Sequence, residues 1–259
     1  MEKIKLLFTC PHNGEKKGDD IDPPIIERVE SNFPDAICPS KEGQGFSGEN
    51  DVRAKLLTEK IVENIQMLSG KDPYTVYAEF RREWIDYNRN ERCAFEESSL
   101  QGRDEYLKYH NEISRIIKEM LPQDDNSIAF LFDIHGTDKE KSPDIDRERN
   151  FIELLIGTDQ TLSRQALPDP SYFWSAHGLI PLLKTKGITV FPEEESQERQ
   201  SFQLDGGHTI KTYGTNQTKP RLVAIQIEVI RCIRDHEYLR EKFAADMADC
   251  ILTFVRPFI

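Results

Sequence analysis

Two hydrophobic periods alternate along this chain. Short apolar runs bounded by polar or turn residues occur at residues 4–9, 75–80, 128–134, 151–157, 188–191 and 222–230. Their lengths and β-branched content predict strands, and 222–230 is apolar enough to predict a central one. Between them, apolar residues recur every three or four positions. Leu56, Leu57, Ile61, Ile65 and Leu68 predict a helix from Asp51 to Ser69, with Asp51 at its start and Gly70 just past its end. Leu107, Ile113, Ile116, Ile117 and Met120 predict a second helix from Arg103 to Leu121. Residues 171–186 read as a helix interrupted near Pro181, and 235–254 as a closing helix. Strands separated by helices need crossover connections, which predicts a mostly parallel sheet covered on both faces. We expect one α/β domain spanning residues 1–259, since no composition shift marks a boundary.

In such sheets, ligands gather at the carboxyl ends of the strands. There the first run gives way to Pro11-His12-Asn13-Gly14-Glu15, and a later one ends in Asp133-Ile134-His135-Gly136. His12, Glu15 and His135 make a two-histidine, one-carboxylate set that leaves a fourth position open, as catalytic zinc requires. Asp133, two residues before His135, is placed to hold a ring N–H or to approach the metal itself. Glu228 lies inside the most apolar run, with Gln226 on the same face by the two-residue period. A carboxylate there costs several kcal/mol unless paired or functional. It is either a partner for a buried arginine or a general base beside the metal.

The segment Arg81-Arg82-Glu83-Trp84-Ile85-Asp86-Tyr87-Asn88-Arg89 supplies anion-binding groups. Asn88 and Arg89 suit a substrate carboxylate, and Arg82 or Arg81 suits a developing oxyanion. Read alone, such a stretch is more often a surface helix start rich in ion pairs. Gly206-Gly207 offers backbone freedom near a substrate, with His208 and Tyr213 as candidate contacts. His110, His177 and His236 fall in predicted helical regions, where packing or surface roles are commoner.

A net charge of −12 argues against non-specific nucleic-acid binding, which needs a basic face. No apolar stretch reaches membrane-spanning length, and no secretory leader pattern opens the sequence. Five widely spaced cysteines without a CxxC pair (Cys10, Cys38, Cys93, Cys232, Cys250) predict free thiols in a reducing cytoplasm. Cys10, close to His12, is considered as a nucleophile, with packing the commoner role. The polar segments 16–22, 139–149 and 193–203 are expected to rim a cleft.

Taken in order, Pro11-His12-Asn13-Gly14, Arg82 to Arg89, Tyr106 to His110, Asp133-Ile134-His135-Gly136, Gly206-Gly207 and Gln226-Ile227-Glu228 resemble the N-formylglutamate amidohydrolase family. That family is similar to the zinc carboxypeptidase and aspartoacylase type of metallohydrolase. The resemblance implies a three-layer α/β/α fold around a central mixed, mostly parallel sheet. It implies zinc on His12, Glu15 and His135, with Glu228 activating water. It further implies that Asn88 and Arg89 anchor a substrate carboxylate and that Arg82 lies near the carbonyl, the aspartoacylase spacing favouring Arg81. Glu15 fits the carboxypeptidase HxxE pattern, whereas the amidohydrolase pattern commonly has a small residue there. The expected substrate is a small carboxylate-bearing N-acyl amino acid. The alternatives are a metallocarboxypeptidase acting on short peptides and a non-catalytic zinc- or ligand-binding relative. The oligomeric state is left open.

Overall fold

The computed structural model describes residues 2–39, 45–122, 127–137, 153–159, 162–194, 206–215 and 221–259. Six strands form the central sheet: β1 Lys3–Cys10, β2 Asp72–Tyr77, β3 Ala129–Thr137, β4 Leu154–Gly157, β5 Val190–Phe191 and β6 Leu222–Ile230. Their spatial order is β2-β1-β3-β6-β4-β5. β2, β1, β3 and β6 run parallel, β4 lies antiparallel to β6, and β5 is parallel to β4. The expected mixed, mostly parallel sheet is therefore what this chain builds. The polar segment 139–149 and most of 193–203 lie outside the described residues, as does the start of the predicted strand at 151.

Pleating sorts the side chains of β1, β3 and β6 into two faces. Leu6, Phe8, Phe130, Phe132, Ile134, Val223, Ile225, Ile227 and Val229 share one core. That face is covered by the helices α1 (Ala54–Ser69) and α4 (Glu237–Val255), through Leu57, Ile61, Ile65, Met247, Ile251 and Phe254 among others. Leu7, Ala129, Leu131, Leu222 and Ala224 face the other way, against Tyr106, Tyr109, Ile113, Ile116 and Met120 of α2 (Leu100–Met120). The same parity puts Thr9, Asp133, His135, Gln226 and Glu228 on the α2 side, from the middle of their strands towards the carboxyl ends. The alternation that builds the core thus turns to chemistry at one rim of the sheet.

Three sequence expectations shift. α1 buries Ala54, Leu57, Thr58, Ile61, Val62 and Ile65, while Leu56 and Leu68 are exposed. The predicted helix over 171–186 is a 3-10 turn, Pro170–Trp174, followed by α3, Leu179–Thr185. Pro181 does not break it; it sits in the first turn of α3, where no intrahelical N–H is needed. Cys38 and Cys93 are joined by a disulfide across 55 residues, with Cα atoms 5.7 Å apart. That corrects the expectation of five free thiols: spacing along the chain cannot reveal two loops that meet only in the folded protein. Cys10, Cys232 and Cys250 are free. No helix among the described residues is long and apolar enough to cross a membrane.

Candidate metal centre and active site

His12 leaves the end of β1 and meets His135 from the end of β3, both nearly inaccessible to solvent. Their Nδ1 atoms approach to 3.1 Å. Asp51 completes the group: its Oδ2 lies 3.3 Å from His12 Nδ1 and 3.3 Å from His135 Nδ1. These three are the residues among those described that could together hold a metal ion. A tetrahedral ion bonded at about 2.0–2.2 Å spaces its ligand atoms by about 3.3–3.6 Å. Two edges of the observed triangle, at 3.3 Å, match that spacing, and the third, at 3.1 Å, is slightly shorter.

The remote ring nitrogens support the fit. His12 Nε2 is 2.7 Å from Asp86 Oδ1, and His135 Nε2 is 2.9 Å from Asp133 Oδ2. A carboxylate on the outer nitrogen holds the proton there and leaves Nδ1 with its lone pair facing inward, the usual outer arrangement of a metal-bound histidine. Asp133 is itself fixed by Thr9 Oγ1, which donates to Oδ1 at 2.5 Å. The donor set of two imidazoles and one carboxylate suits zinc. Burial alone would depress the His135 pKa, but Asp133 and Asp51 reverse this and raise it to about 10. Burial would raise Asp51; His12 and His135 overcome that and hold its carboxyl far below the usual range. The pocket strongly favours positive charge.

Glu15 does not join this group. It is exposed, and its backbone N–H donates to Glu79 O at 3.1 Å. Past His12 the chain runs beside residues 79–80 instead of turning back, with Gly14 so close that a Cβ would lie 2.0 Å from Phe80 O. An HxxE pair needs a turn that brings the carboxylate back to the histidine, and this path carries it away. Asp51 takes the third position because its N–H donates to His12 O at 2.9 Å and its Oδ2 accepts from Gly136 N at 3.0 Å. From sequence alone, Asp51 reads only as a helix start. An acid ahead of a helix is so common that nothing local separates a ligand from a cap.

Asp86, fully buried, links the candidate metal cluster to the arginines. Besides His12 it accepts from Arg82 Nε at 2.8 Å and from Asn88 N at 3.0 Å. Arg89 Nε and Arg28 Nη1 stand 3.8 and 4.0 Å from it. Burial would raise its pKa, but Arg82, Arg89 and His12 hold it well below the carboxylate range. Asp86 in turn raises Arg82, against the opposing effect of burial. The two arginines differ in geometry. Arg82 faces the cluster, whereas Arg81 is more exposed and pairs with Glu83 at 3.3 Å.

Asn88 is buried beside His135, its Nδ2 3.5 Å from His135 Nε2. Its Oδ1 accepts from Thr209 N at 2.9 Å and Thr209 Oγ1 at 3.1 Å, which ties it to the Gly206–Thr215 segment. Gly207, with φ of +61°, packs so tightly there that a Cβ would lie 2.6 Å from Asn88 Nδ2. Arg89 Nε donates to Gly45 O at 3.1 Å and its Nη1 to Asn88 O at 3.0 Å. His208 borders this region: its Nε2 is 3.3 Å from Tyr106 Oη, whose hydroxyl donates to Arg89 O at 2.8 Å. Burial pushes His208 down to about 4, so its ring is neutral at pH 7. Tyr213 packs differently from expectation. Its phenol lies 2.8 Å from His110 Nδ1, and burial lowers His110 to about 3. A neutral His110 whose Nε2 lies 3.1 Å from Tyr87 O pins the Tyr213 ring within the wall of the site.

Glu228 is half-buried and lies opposite His135 in the β3–β6 register. Gln226 Nε2 donates to its Oε1 at 2.6 Å. Burial raises the Glu228 pKa, Asp51 adds to this, and His135, Gln226 and His12 oppose it. Cys10 has no such poise. Burial, then Asp51 and Asp133, push its thiol far above the usual range, which disqualifies it as a nucleophile.

Solved structures share this fold. N-formylglutamate amidohydrolase from Ralstonia eutropha JMP134 superimposes with a TM-score of 0.64 at 15% sequence identity, covering 100% of this chain and 95% of that one. The gene product Atu2144 from Agrobacterium tumefaciens gives 0.56 at 15% identity, covering 98% of this chain and 91% of that one. No protein-family model matches the sequence, and no curated protein sequence does. At this identity the likeness establishes a common architecture along nearly the whole chain.

Proposed function

We propose that this protein is a zinc-dependent amidohydrolase that cleaves the amide bond of an N-acyl amino acid carrying a free carboxylate. One observation carries the reading: two imidazoles and the Asp51 carboxylate converge through inward-facing atoms, while Asp86 and Asp133 hold the outer ring nitrogens. His12, Asp51 and His135 would hold the ion, which supplies Lewis acidity that makes water a nucleophile near neutral pH. The fold shared with an N-formylglutamate amidohydrolase supports amide hydrolysis and an N-formylglutamate-like substrate.

The chain's own groups divide the remaining work. Glu228, whose proton affinity is raised by burial, accepts a proton from the attacking water on its carboxylate. It then delivers that proton to the departing amine nitrogen. Arg82, oriented by Asp86 through its Nε, presents its remaining N–H groups to the oxygen that gains charge. Arg89 and the Asn88 amide N–H2 receive the substrate carboxylate, since Asn88 Oδ1 is already occupied by Thr209. Gly207 and His208 line the same side.

The decisive experiment replaces Glu228 with Gln in zinc-loaded protein. Metal stoichiometry is expected to stay at the wild-type value. Turnover of N-acyl glutamate or aspartate should fall by a factor of about 100 or more. Near wild-type turnover would remove Glu228 as the base. Dipeptides run beside the N-acyl amino acids distinguish this specificity from that of a carboxypeptidase.

A further inference from the structure

Gln226 precedes Glu228 by one pleat on the same face of β6 and is only 8% exposed. Its amide nitrogen holds Glu228 Oε1 at 2.6 Å. That contact fixes which end of the amide faces the carboxylate, because the reversed amide would set two acceptors against each other. The amide oxygen, Oε1, is left buried with no hydrogen-bond partner among the described residues. Its cross-strand neighbour Asp133 offers no proton, since both its oxygens are engaged by Thr9 and His135. A buried orphan acceptor is costly, and a methionine would fill the same volume without it. Orphan groups of this kind stand out where the missing partner arrives with a ligand.

We propose that Gln226 is a specificity-determining residue: its N–H2 fixes the Glu228 carboxylate, and its carbonyl receives the N–H of the substrate's amide. This rests on the hydrolase reading above for the placement of substrate beside Glu228. The consequence is selection of amides over the corresponding esters. An ester brings an oxygen lone pair where the amide brings its N–H, so the Gln226 carbonyl stays unsatisfied beside it. Sites built to pair a polar group discriminate against analogues that lack the partner.

The test uses zinc-loaded wild type and Gln226→Met with a matched pair, an N-acyl amino acid and the O-acyl hydroxy acid of the same skeleton. In Gln226→Met both kcat/KM values should fall through loss of Glu228 positioning. The amide should fall further, so that the amide-to-ester ratio drops about tenfold, one hydrogen bond's worth. An unchanged ratio in a folded, metal-replete variant overturns the proposal. The same pair titrated calorimetrically into wild type needs no variant: the amide should bind about tenfold tighter than the ester. Equal affinities, or no binding of either, also overturn it. Tighter amide binding without any hydrolysis would uphold this role for Gln226 while rejecting the hydrolase reading. Hydrolysis with no amide preference would do the reverse.

Discussion

Asp86 is the residue whose removal should tell most about how this site is built. It is fully buried and accepts from the His12 imidazole at 2.7 Å, an arginine at 2.8 Å and a backbone N–H at 3.0 Å. Asp86→Ala deletes all three at once. A hydrogen bond to a charged group contributes about 1.5–3 kcal/mol net, and removing one member of a buried ion pair costs about 3–5 kcal/mol. The two figures describe overlapping interactions and are not summed. Arg82, Arg89 and Arg28 would also face one another without their shared counter-ion. The expected loss is about 3–5 kcal/mol, measured by urea unfolding of the metal-free protein at pH 7. Zinc affinity, read by competition with a chromophoric chelator, should fall about 10–100-fold because His12 loses the acceptor that orients its ring. Asp86→Asn keeps the shape and an acceptor, so it should lie between wild type and Asp86→Ala in both measurements. A stability change under about 1 kcal/mol, or unaltered zinc affinity, would refute the claim that Asp86 joins the metal group to the arginines.

Other substitutions separate neighbouring residues with different roles. Asp51→Ala should abolish stoichiometric zinc binding while Glu15→Gln leaves it intact, and metal analysis after dialysis gives the answer. Arg82→Ala should lower kcat/KM for an N-acyl amino acid by about 100-fold, whereas Arg81→Ala, on the exposed side, should change it less than twofold. The charge state of His135 gives a pH signature. Its folded-state pKa of about 10 exceeds the reference value of 6.5, so its stabilising contribution is complete below pH 6.5 and disappears as pH rises towards 10. Thermal melts of the metal-free protein should therefore show Tm falling across that window. Zinc uptake at pH 7 should also release protons, seen as a reaction heat that varies with the ionisation enthalpy of the buffer.

The two hydrophobic periods make most of the architecture legible in the sequence. Runs at 128–134 and 222–230 became β3 and β6, and the apolar recurrence in 103–121 became α2. Boundaries slipped where local rules compete with tertiary context. β2 begins at Asp72 instead of Thr75, because Pro73 is tolerated at the start of an edge strand. The cluster of His12, His135, Asp133 and Glu228 was readable for one physical reason: each polar residue interrupts or terminates an apolar run, where burial must be repaid by chemistry.

Asp51, Asp86 and the Cys38–Cys93 bond were not readable, and the reason is shared. Each sits in a connecting segment whose composition is ordinary, and each acquires its meaning from a partner many residues away. Asp51 lies 39 residues from His12 in sequence and Asp86 lies 74 from it. The disulfide belongs to the same layer of organisation. Cys93 sits on the short helix Glu91–Ala94, whose Ala94 O accepts from Asp86 N at 2.8 Å, and Cys93 O accepts from Arg28 Nη2 at 3.1 Å. Arg28 also donates to Arg82 O and Ser47 O, each at 2.9 Å, with Phe33 and Phe46 stacked near its guanidinium. The covalent link therefore braces the loops that present Arg82 and the segment leading to Asp51. The strands supply two histidines and a glutamate at fixed heights on one sheet edge. The loops supply Asp51, the third member of the candidate metal cluster, and Asp86, the carboxylate that holds Arg82. A site assembled this way takes its histidines and Glu228 from the sheet and its remaining groups from the loops, and only the first of these is written as a local pattern.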